Sequence, residues 1–419
     1  MTTLLRVCTA GSVDDGKSTL IGRLLFDAKA LMSDQLTQVE EASRRRGFAR
    51  TELALVTDGL RAEREQGITI DVAWRYFSVP GRRFILADTP GHLQYTRNMV
   101  TGASTAEAAL LLVDARAGLT EQSRRHLYLT ALLGVRHLVV AVNKMDQVDF
   151  SYARFDELRQ TIAAYLRLHT RGTESVAYVP VSALHGDNVV VRSVRTPFYD
   201  GPTLLEYLTV LDAASDDAEA PFRMPVQWIV RPQSETHHDY RGVAGRISAG
   251  TVRVGDRLAV SPSGKTSSVR KIEWSGEGVR SAGRGASVIL HLEDDVDVSR
   301  GDLLTAIDAL PQKSSELDAD LAWFSVREAQ VGKRYLLKHT TRTVKVTLAG
   351  ITHVVDIGTG APLPRQAVGE NDIARVTLKT ATPIYWEPYE RQRTLGSALI
   401  VDETTHETVG GVMLRGGVS

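Results

Sequence analysis

The chain has 419 residues, too many for one ordinary hydrophobic core, so we expect two or three domains. The 50 Lys and Arg residues balance 50 Asp and Glu residues, which excludes a bulk basic field for nucleic acid or an anionic membrane. No apolar run reaches the roughly 20 residues that span a bilayer, and the first predicted strand leaves no room for a signal peptide. The single cysteine, Cys8, excludes an intramolecular disulfide and indicates a reducing cytoplasm.

Apolar strands alternate with amphipathic helices over the first half of the chain. Strands are predicted over residues 4–10, 71–79, 83–88, 108–114, 137–143 and 176–182. Helices are predicted over residues 17–27, 95–104, 121–133, 153–168 and 204–211. This alternation is typical of an α/β domain with a mostly parallel sheet, and Pro80-Gly81 marks a hairpin turn. The charged segment 40–46 fits a solvated helix face, with a binding role as the alternative.

The helical pattern stops at an acidic, proline-bounded stretch, residues 212–221, which has the composition of a linker. Short alternating runs with glycine-containing turns follow, as in a small β-barrel, at residues 225–230, 242–247, 269–274 and 287–292. A second break at 309–313 precedes strand-like runs at residues 319–326, 335–339, 343–351, 372–378 and 397–402. We therefore predict an α/β domain over 1–215 and two β-barrel domains over 222–310 and 311–419.

A glycine-rich loop, residues 11–18, lies between the first predicted strand and the first predicted helix and reads G-x-x-x-x-G-K-S. Its amides can close around phosphate oxygens, and the helix N-terminus adds a partial positive charge. Lys17 would reach the β- and γ-phosphates, and the Ser18 hydroxyl would bind Mg²⁺. A glycine-rich turn with an exposed lysine is the alternative interpretation.

The third predicted strand closes on Asp88-Thr89-Pro90-Gly91. Asp88 can hold Mg²⁺ through water, and the Gly91 amide can sense the γ-phosphate. Upstream, Thr69 offers a hydroxyl that completes the Mg²⁺ shell when a triphosphate is bound. The predicted metal-binding residues are therefore Ser18, Thr69 and Asp88.

Two further segments end predicted strands and indicate a guanine base. Asn143-Lys144-Met145-Asp146 ends the fifth strand, where the Asp146 carboxylate can accept from guanine N1 and the 2-amino group, neither of which adenine offers there. Asn143 would brace the site and the Lys144 stem would lie along the base. Ser182-Ala183-Leu184 ends the sixth strand, where an amide can donate to guanine O6. The predicted GTP-binding residues are Gly11, Ser12, Val13, Asp14, Asp15, Gly16, Lys17, Ser18, Thr19, Asp88, Thr89, Pro90, Gly91, His92, Asn143, Lys144, Met145, Asp146, Ser182, Ala183 and Leu184.

Residues 259–266 almost repeat the glycine-rich loop, but the first glycine is missing and Pro262 interrupts the run. A strand-like run follows in place of a helix. We therefore predict a surface hairpin here and one nucleotide site in the chain.

These motifs resemble the translation-factor class of P-loop GTPases, which includes elongation factor Tu. Closer resemblance is to the family of GTPase subunits of bacterial ATP sulfurylase, and it extends essentially from end to end. It rests on residues 11–25, 94–99, 101–104, 114–116, 124–126, 132–137, 224–228 and 299–302. Two residues depart from the family pattern, Gln66 in place of a basic residue and Leu93 in place of Glu, and they leave details of switch movement and partner contact open.

The resemblance implies an elongation-factor-Tu-like architecture and a heterodimer. A smaller subunit would join ATP and sulfate into adenosine 5′-phosphosulfate, and this chain would couple hydrolysis of GTP, bound with Mg²⁺, to that uphill reaction. An adenylylsulfate kinase is a further candidate partner; no second P-loop follows the β-domains before Ser419, so we expect no kinase domain here. The rival hypothesis is a translation factor that carries aminoacyl-tRNA to the ribosome.

The resemblance also assigns roles around the phosphates. His92 would position the attacking water, restrained by Val13 and Ile68, and the predicted catalytic residues are His92, Lys17 and Thr69. An exposed histidine that caps the next helix is the alternative for His92. Asp14 would assist a monovalent cation or be a surface carboxylate.

Overall fold

The computed structural model describes residues 3–31, 33–45, 51–56, 69–169, 175–212, 220–231 and 240–416. The chain divides into two compact units, Met1–Ala213 with Asp356–Ala361, and Ala214–Val355 with Pro362–Ser419. The predicted domain limits at 215, 222 and 310 remain predictions. Most of the predicted linker, residues 213–219, lies outside the described residues.

The first unit contains a six-stranded sheet in the order β2-β3-β1-β4-β5-β6. Only β2 is antiparallel to its neighbour, so the predicted mostly parallel α/β sheet is confirmed. The hairpin at Pro80-Gly81 is also confirmed, because Gly81 has a φ of 81° between two paired strands. The strands are β1 (Thr3–Gly11), β2 (Ala73–Val79), β3 (Arg82–Asp88), β4 (Ala108–Asp114), β5 (His137–Asn143) and β6 (Ser175–Pro180).

Six α-helices of this unit lie in the described residues. They are α1 (Lys17–Asp27), α2 (Ser33–Arg45), α3 (Thr96–Ala103), α4 (Glu121–Leu132), α5 (Tyr152–His169) and α6 (Leu204–Val210). Side-chain caps start two of them: the Thr120 hydroxyl accepts from the Ser123 amide before α4, and Thr203 and Glu206 form a capping box on α6. In α2 the side chains of Glu40, Glu41, Arg44 and Arg45 are exposed, as a solvated helix face requires.

The core of this unit forms around the central strands. Every residue of β4 and β5 is buried, which explains why both strands are continuous apolar runs without alternation. Leu20 and Leu24 of α1 pack into the same cluster, and burial of each such side chain stabilises the fold by about 1.5–3 kcal/mol. Cys8 is fully buried in β1, where it acts as a small core residue.

The second unit holds two closed antiparallel barrels of six strands each. The first closes through β10–β11 in the order β10-β15-β7-β8-β14-β11, and the second closes through β18–β19 in the order β18-β23-β24-β16-β22-β19. The first barrel and the small strands beside it are β7 (Arg223–Val230), β8 (Gly242–Arg246), β9 (Thr251–Arg253), β10 (Arg257–Ser261), β11 (Thr266–Trp274), β12 (Glu277–Val279), β13 (Ser281–Gly283), β14 (Ser287–Leu292) and β15 (Leu303–Ala306). The second consists of β16 (Gln312–Trp323), β17 (Ala329–Gln330), β18 (Arg334–His339), β19 (Arg342–Val355), β20 (Pro362–Leu363), β21 (Ala367–Val368), β22 (Ile373–Trp386), β23 (Ser397–Val401) and β24 (Thr408–Leu414), with the short helix α7 (Arg393–Gly396).

The two barrels are tied to each other inside this unit. Arg223 at the start of β7 is buried and pairs with Glu387 at 2.7 Å, and the Gln392 amide donates to the Ser248 carbonyl at 3.0 Å. The near-repeat of the glycine-rich loop is the turn between β10 and β11, which pair antiparallel, so the predicted surface hairpin is confirmed. Among the described residues, no helix is long and apolar enough to cross a bilayer.

Candidate nucleotide-binding site

Four of the predicted segments follow strands of the parallel sheet and meet at one edge. β1, β3 and β5 run parallel and end at Gly11, Asp88 and Asn143, and the segment 182–184 follows β6. The carboxyl edge of such a sheet is where open α/β folds bind ligands. The four segments were predicted at separate strand ends, and the fold brings them together.

Backbone geometry makes the glycine-rich loop possible. Gly11 has a φ of 146°, and a Cβ there would lie 2.8 Å from the Leu112 carbonyl oxygen, so no other residue fits. The loop ends at Gly16, where α1 begins without a side-chain cap. The first amides of α1 are therefore available to an anion.

Lys17 is buried and turns back onto the loop. Its Nζ donates to the Gly11 and Ser12 carbonyl oxygens, both at 2.9 Å. Burial lowers the pKa of Lys17, although the nearby carboxylates of Asp88 and Asp15 act to raise it. The exposed-lysine alternative is wrong, because the side chain is only 8% exposed.

Asp15 is the buried carboxyl group of the loop. Its Oδ2 accepts from the Ser12 amide at 2.6 Å. Burial raises the pKa of Asp15 to about 6, although the Ser12 hydrogen bond and Lys17 oppose this shift. The other loop side chains differ, since Val13 and Asp14 are exposed and Ser18 and Thr19 are half-buried in the first turn of α1. Asp14 has a φ of 64°.

The segment after β3 lies against the lysine. Asp88 is 1% exposed and its Oδ1 accepts from the Thr9 hydroxyl at 3.2 Å, while the Thr89 amide donates to the same hydroxyl at 3.3 Å. A Cβ on Gly91 would lie 2.4 Å from Lys17 Nζ and 3.0 Å from the Gly11 carbonyl oxygen, so the buried Pro90-Gly91 backbone lies close against the lysine and the glycine-rich loop. The chain therefore places the Asp88 carboxylate and the Gly91 backbone beside the lysine.

The predicted metal-binding residues are only partly assembled. Ser18 opens α1 and Asp88 closes β3 at the same sheet edge, and hydroxyl and carboxylate oxygens are the ligands that Mg²⁺ prefers. Thr69 lies at the margin of the described residues, which give it no hydrogen bond to either residue. Its neighbour Ile70 accepts from the Asn98 side chain at 2.8 Å. The described residues hold no group of three His, Cys, Asp or Glu side chains that could hold a metal alone.

His92 follows Gly91 and is half-buried, with its ring 6.2 Å from the Tyr95 ring. It occupies the N-cap position of the short 3₁₀ helix Leu93–Tyr95 and makes no side-chain capping hydrogen bond there. Leu93 is 45% exposed. Ile68 and Gln66 lie outside the described residues; of the two residues predicted to restrain His92, only Val13 is described, and it is exposed.

On the other side of the site, Asn143 joins two loops. Its Nδ2 donates to the Asp15 carbonyl oxygen at 2.8 Å, and its Oδ1 accepts from the Ala183 amide at 3.0 Å. The side chain is 1% exposed, which makes both bonds strong constraints. Arg23 of α1 adds a third link, because it donates to the carbonyls of Ala183 and Leu184 at 3.2 and 2.7 Å.

Asp146 sits in the turn after β5, next to the buried Met145. Its Oδ1 accepts from the Ser182 hydroxyl at 2.5 Å and its Oδ2 from Gln147 at 2.9 Å. Burial raises the pKa of Asp146, but these hydrogen bonds outweigh burial and hold it below its usual range. The group is therefore a carboxylate at neutral pH, as an acceptor for paired donors must be.

Lys144 connects this turn to the glycine-rich loop. It adopts a φ of 60°, and its Nζ lies 2.9 Å from Asp114 Oδ2 and donates to the Asp14 carbonyl oxygen. Arg116 binds the same Asp114 carboxylate at 2.7 and 3.1 Å. Burial raises the pKa of Asp114, yet the bonds from Arg116 and Lys144 hold it well below its usual range.

Sequence reasoning missed two residues of this site. Asp114 ends β4 at the same sheet edge, and that strand-end position was the available signal. His126 lies inside α4 with no such signal, yet its Nδ1 accepts from the Gly11 amide at 2.9 Å. Both belong to runs that entered the sequence interpretation only as points of resemblance.

The chain matches two known family models. Residues 2–220 match the Elongation factor Tu GTP binding domain, and residues 316–415 match the GTP-eEF1A C-terminal domain-like family.

Similarity to individual proteins covers nearly the whole chain. It is 49% identical over 419 residues to the bifunctional enzyme CysN/CysC of Mycobacterium tuberculosis, across 99% of this chain and 68% of that protein. It is 47% identical over 408 residues to sulfate adenylyltransferase subunit 1 of Bacteroides fragilis, across 97% of this chain and 84% of that protein. A solved structure of sup35 complexed with GDP aligns over 100% of this chain and 95% of that one, with 25% identity and a TM-score of 0.45.

Proposed function

The chain belongs to the sulfate adenylyltransferase subunit 1 family, with an elongation-factor-Tu-type GTP-binding domain, and from this premise we propose that it is the GTPase subunit of a heterodimeric sulfate adenylyltransferase. Its GTP hydrolysis drives synthesis of adenosine 5′-phosphosulfate from ATP and sulfate in sulfate assimilation. The observation that carries this function is the meeting of four loop segments, with Lys17 and Asp146 at opposite ends, at one sheet edge.

The phosphate end takes the triphosphate. The amides of residues 13–18 surround the phosphates, and Lys17 exchanges its bonds to the Gly11 and Ser12 carbonyls for phosphate oxygens. Ser18, Asp88 and Thr69 would hold Mg²⁺, which would neutralise negative charge at the phosphates. His92 holds the attacking water.

The base end selects guanine. Asp146 accepts from N1 and the 2-amino group, a main-chain amide of residues 182–184 donates to O6, and the Lys144 stem lies along the base. Asn143 keeps these groups in register with the glycine-rich loop through its two hydrogen bonds. The base and phosphate contacts are thereby held at a constant separation.

A smaller subunit performs adenylyl transfer in this proposal. Coupling requires that a GTP state and a GDP state bind the partner's reaction intermediates with different affinities. The γ-phosphate holds the loops around Thr69 and Gly91 in one arrangement, and hydrolysis releases them. An adenylylsulfate kinase is a second proposed partner, and we place the complex in the cytoplasm, away from nucleic acid and membranes.

A translation factor that delivers aminoacyl-tRNA has the same domain types and remains the rival. Identity of 47% over 97% of the chain to a protein named sulfate adenylyltransferase subunit 1 favours the sulfurylase function. The rival predicts GTP hydrolysis that responds to ribosomes and aminoacyl-tRNA.

The test is to mix the chain with the smaller subunit, ATP, GTP, Mg²⁺, labelled sulfate and pyrophosphatase, and to follow label into nucleotide. We expect the chain alone to bind GTP, hydrolyse it slowly and form no adenosine 5′-phosphosulfate, since its only predicted nucleotide site is specific for guanine. With the partner, both product formation and GTP hydrolysis should rise, although the two rates need not rise by equal factors.

Two outcomes contradict the proposal. One is GTP-independent product formation by this chain alone. The other is GTP hydrolysis that ribosomes and aminoacyl-tRNA stimulate and the smaller subunit leaves unchanged.

A further inference from the structure

A fully buried histidine lies directly beneath the glycine-rich loop. His126 projects from the second turn of α4 and is 0% exposed. Its Nδ1 lies 2.9 Å from the Gly11 amide, which donates to it across 115 positions of sequence. Neither the phosphate contacts nor the base contacts of the proposed function use this side chain.

The hydrogen bond determines the tautomer of the imidazole. Nδ1 accepts a hydrogen bond from the Gly11 amide, so it carries a lone pair and the proton of the neutral ring is on Nε2. Nε2 lies 3.0 Å from the side-chain amide of Gln122, one turn earlier in α4. The nearest atom of that amide is its nitrogen, and because two donors cannot bond each other, the amide must be rotated by 180° to place its oxygen opposite Nε2–H. In that orientation Gln122 holds the ring in this tautomer.

The surroundings keep the ring neutral. Burial lowers the pKa of His126 to about 3, and the positive charges of Lys17 from α1 and Arg125 from its own helix act in the same direction. Only the hydrogen bond with Gly11 opposes them. The Nδ1 lone pair therefore stays available to Gly11 at physiological pH.

The loop depends on that lone pair through Gly11, which is held from both sides. Its amide donates to His126, and its carbonyl oxygen accepts from Lys17 Nζ at 2.9 Å. Between them, the backbone adopts the φ of 146° that turns the chain out of β1. Without an acceptor at His126, the Gly11 amide would be buried and unpaired. A loop conformation that turns this amide towards another acceptor would then have the lower free energy.

We propose that His126 is a positioning residue for phosphate binding, whose neutral imidazole holds Gly11, and through it Lys17, in the arrangement that receives the nucleotide phosphates. This role rests on the proposed function, since the ligand is the guanine nucleotide of the same site. It acts on phosphate contacts that GDP and GTP share, so affinity for both nucleotides depends on it. Recognition of the guanine base does not depend on His126.

The experiment compares His126→Leu with His126→Asn. Leucine has no acceptor, whereas the Asn oxygen is bonded to Cγ as Nδ1 is and can accept from Gly11. The control is His137→Leu, because His137 is also buried in the first unit, at 7% exposure, but its ring nitrogens contact Ser175 and Asp212. Affinities for GDP and GTP are measured by titration calorimetry, with thermal denaturation recorded for each variant.

We expect His126→Leu to bind both nucleotides about 10- to 100-fold more weakly, the effect of one buried unpaired amide. His126→Asn should recover most of this loss, and His137→Leu should bind as the wild type does even where its thermal midpoint falls. In ¹⁵N-histidine NMR spectra of the wild type, the His126 signal should show protonated Nε2 and should not titrate between pH 5 and 8.

Equal affinities in His126→Leu and His137→Leu overturn the inference, as does a His126→Asn variant no better than His126→Leu. If His126→Leu does not fold, His126→Asn and the NMR spectra of the wild type decide the question. A wild-type His126 with its proton on Nδ1, or one that titrates near pH 6.5, overturns the inference. Failure of the proposed function is a different result, because the wild type itself would then not bind guanine nucleotides.

Discussion

The two ends of the proposed nucleotide site hold their charged groups in opposite ways. At the phosphate end burial dominates, raising the pKa of Asp15 to about 6 and lowering that of Lys17. At the base end burial also raises the pKa of Asp114 and Asp146, but hydrogen bonds from neighbouring side chains outweigh it and keep both carboxyls ionised.

The difference shows where binding free energy can come from. At the base end the carboxylate already has hydrogen-bond partners. Asp146 accepts two hydrogen bonds before any base binds, so its acceptor oxygens are preorganised. The phosphate end holds the Lys17 cation, whose charged form is penalised by burial and which, within the described part of the chain, donates to two carbonyl oxygens. An incoming phosphate therefore restores the stability of the Lys17 charge, whereas guanine exchanges one set of hydrogen bonds for another.

Lys17→Ala should have the largest effect. The variant loses the charge-assisted contacts to the β- and γ-phosphates, at about 1.5–3 kcal/mol each, so affinity should fall by roughly 3–6 kcal/mol for GTP and by about half as much for GDP, which has no γ-phosphate. Titration calorimetry measures this, with Lys29→Ala as control, since Lys29 is exposed just beyond the same helix. Wild-type affinity in Lys17→Ala would falsify the assignment of the phosphate end.

Asp146→Asn should have the next effect, confined to the base end. Removing the acceptor for two guanine donors should weaken GTP binding by about 2–4 kcal/mol. ITP lacks the 2-amino group, so the wild type should prefer GTP to ITP and the variant should bind the two more equally. Asp149→Asn, an exposed carboxylate three residues on, is the control. An unchanged preference for GTP in Asp146→Asn is incompatible with the guanine assignment.

Much of this architecture could be predicted because each motif lies where a short pattern determines its structure. β4 and β5 are continuous apolar runs in the sequence and wholly buried in the sheet, so their ends, and Asn143 with them, were placed correctly. The conformation of residues 11–18 could be predicted from their own sequence, because only glycine tolerates the backbone conformation at Gly11. Local sequence was enough to predict the position of a site residue wherever that position depends on one strand and the turn that follows it.

The parts that could not be predicted depend on distant pairing. His126 reaches Gly11 across 115 residues, and no periodicity marks an α4 residue as a partner of β1. The role of Asp114 depends on Lys144 turning back with a φ of 60°, which a lysine seldom adopts. Beside the first barrel, a strand as short as Thr251–Arg253 carries no alternating pattern, and only its pairing with Ser281–Gly283 makes it a strand.

His92→Ala should separate binding from hydrolysis within the phosphate end. The variant should keep GTP affinity, because positioning water matters only in the transition state, and hydrolysis should slow about 100-fold, or roughly 2.7 kcal/mol in barrier. Single-turnover hydrolysis by the chain alone measures this, with Gln94→Ala as the control, because Gln94 is exposed two residues on, in the 3₁₀ helix that follows. Equal rates in His92→Ala and wild type would remove His92 from the mechanism.

The smallest expected effect tests the comparison in the absence of nucleotide, through the pH dependence of stability. The pKa of Asp15 is raised in the folded chain from 3.8 to about 6, so the folded state holds its proton more tightly than the unfolded state does. Its contribution to stability is therefore fully present below pH 4 and is lost as the pH rises through about 6. His126 has the opposite pH dependence, because its pKa is lowered in the folded chain. Its contribution to stability is present above pH 6.5 and is lost as the pH falls towards 3.

Comparing Asp15→Asn with the wild type isolates the Asp15 contribution. Asn keeps an acceptor for the Ser12 amide but cannot ionise, so the variant should become more stable relative to the wild type by about 1–3 kcal/mol between pH 4 and pH 7. Native-state hydrogen exchange of the α1 amides at each pH reads the opening free energy of this region without assuming that two units unfold together. A difference that stays flat over this range would show that burial does not penalise the Asp15 charge, and the contrast between the two ends of the site would then rest on Lys17 alone.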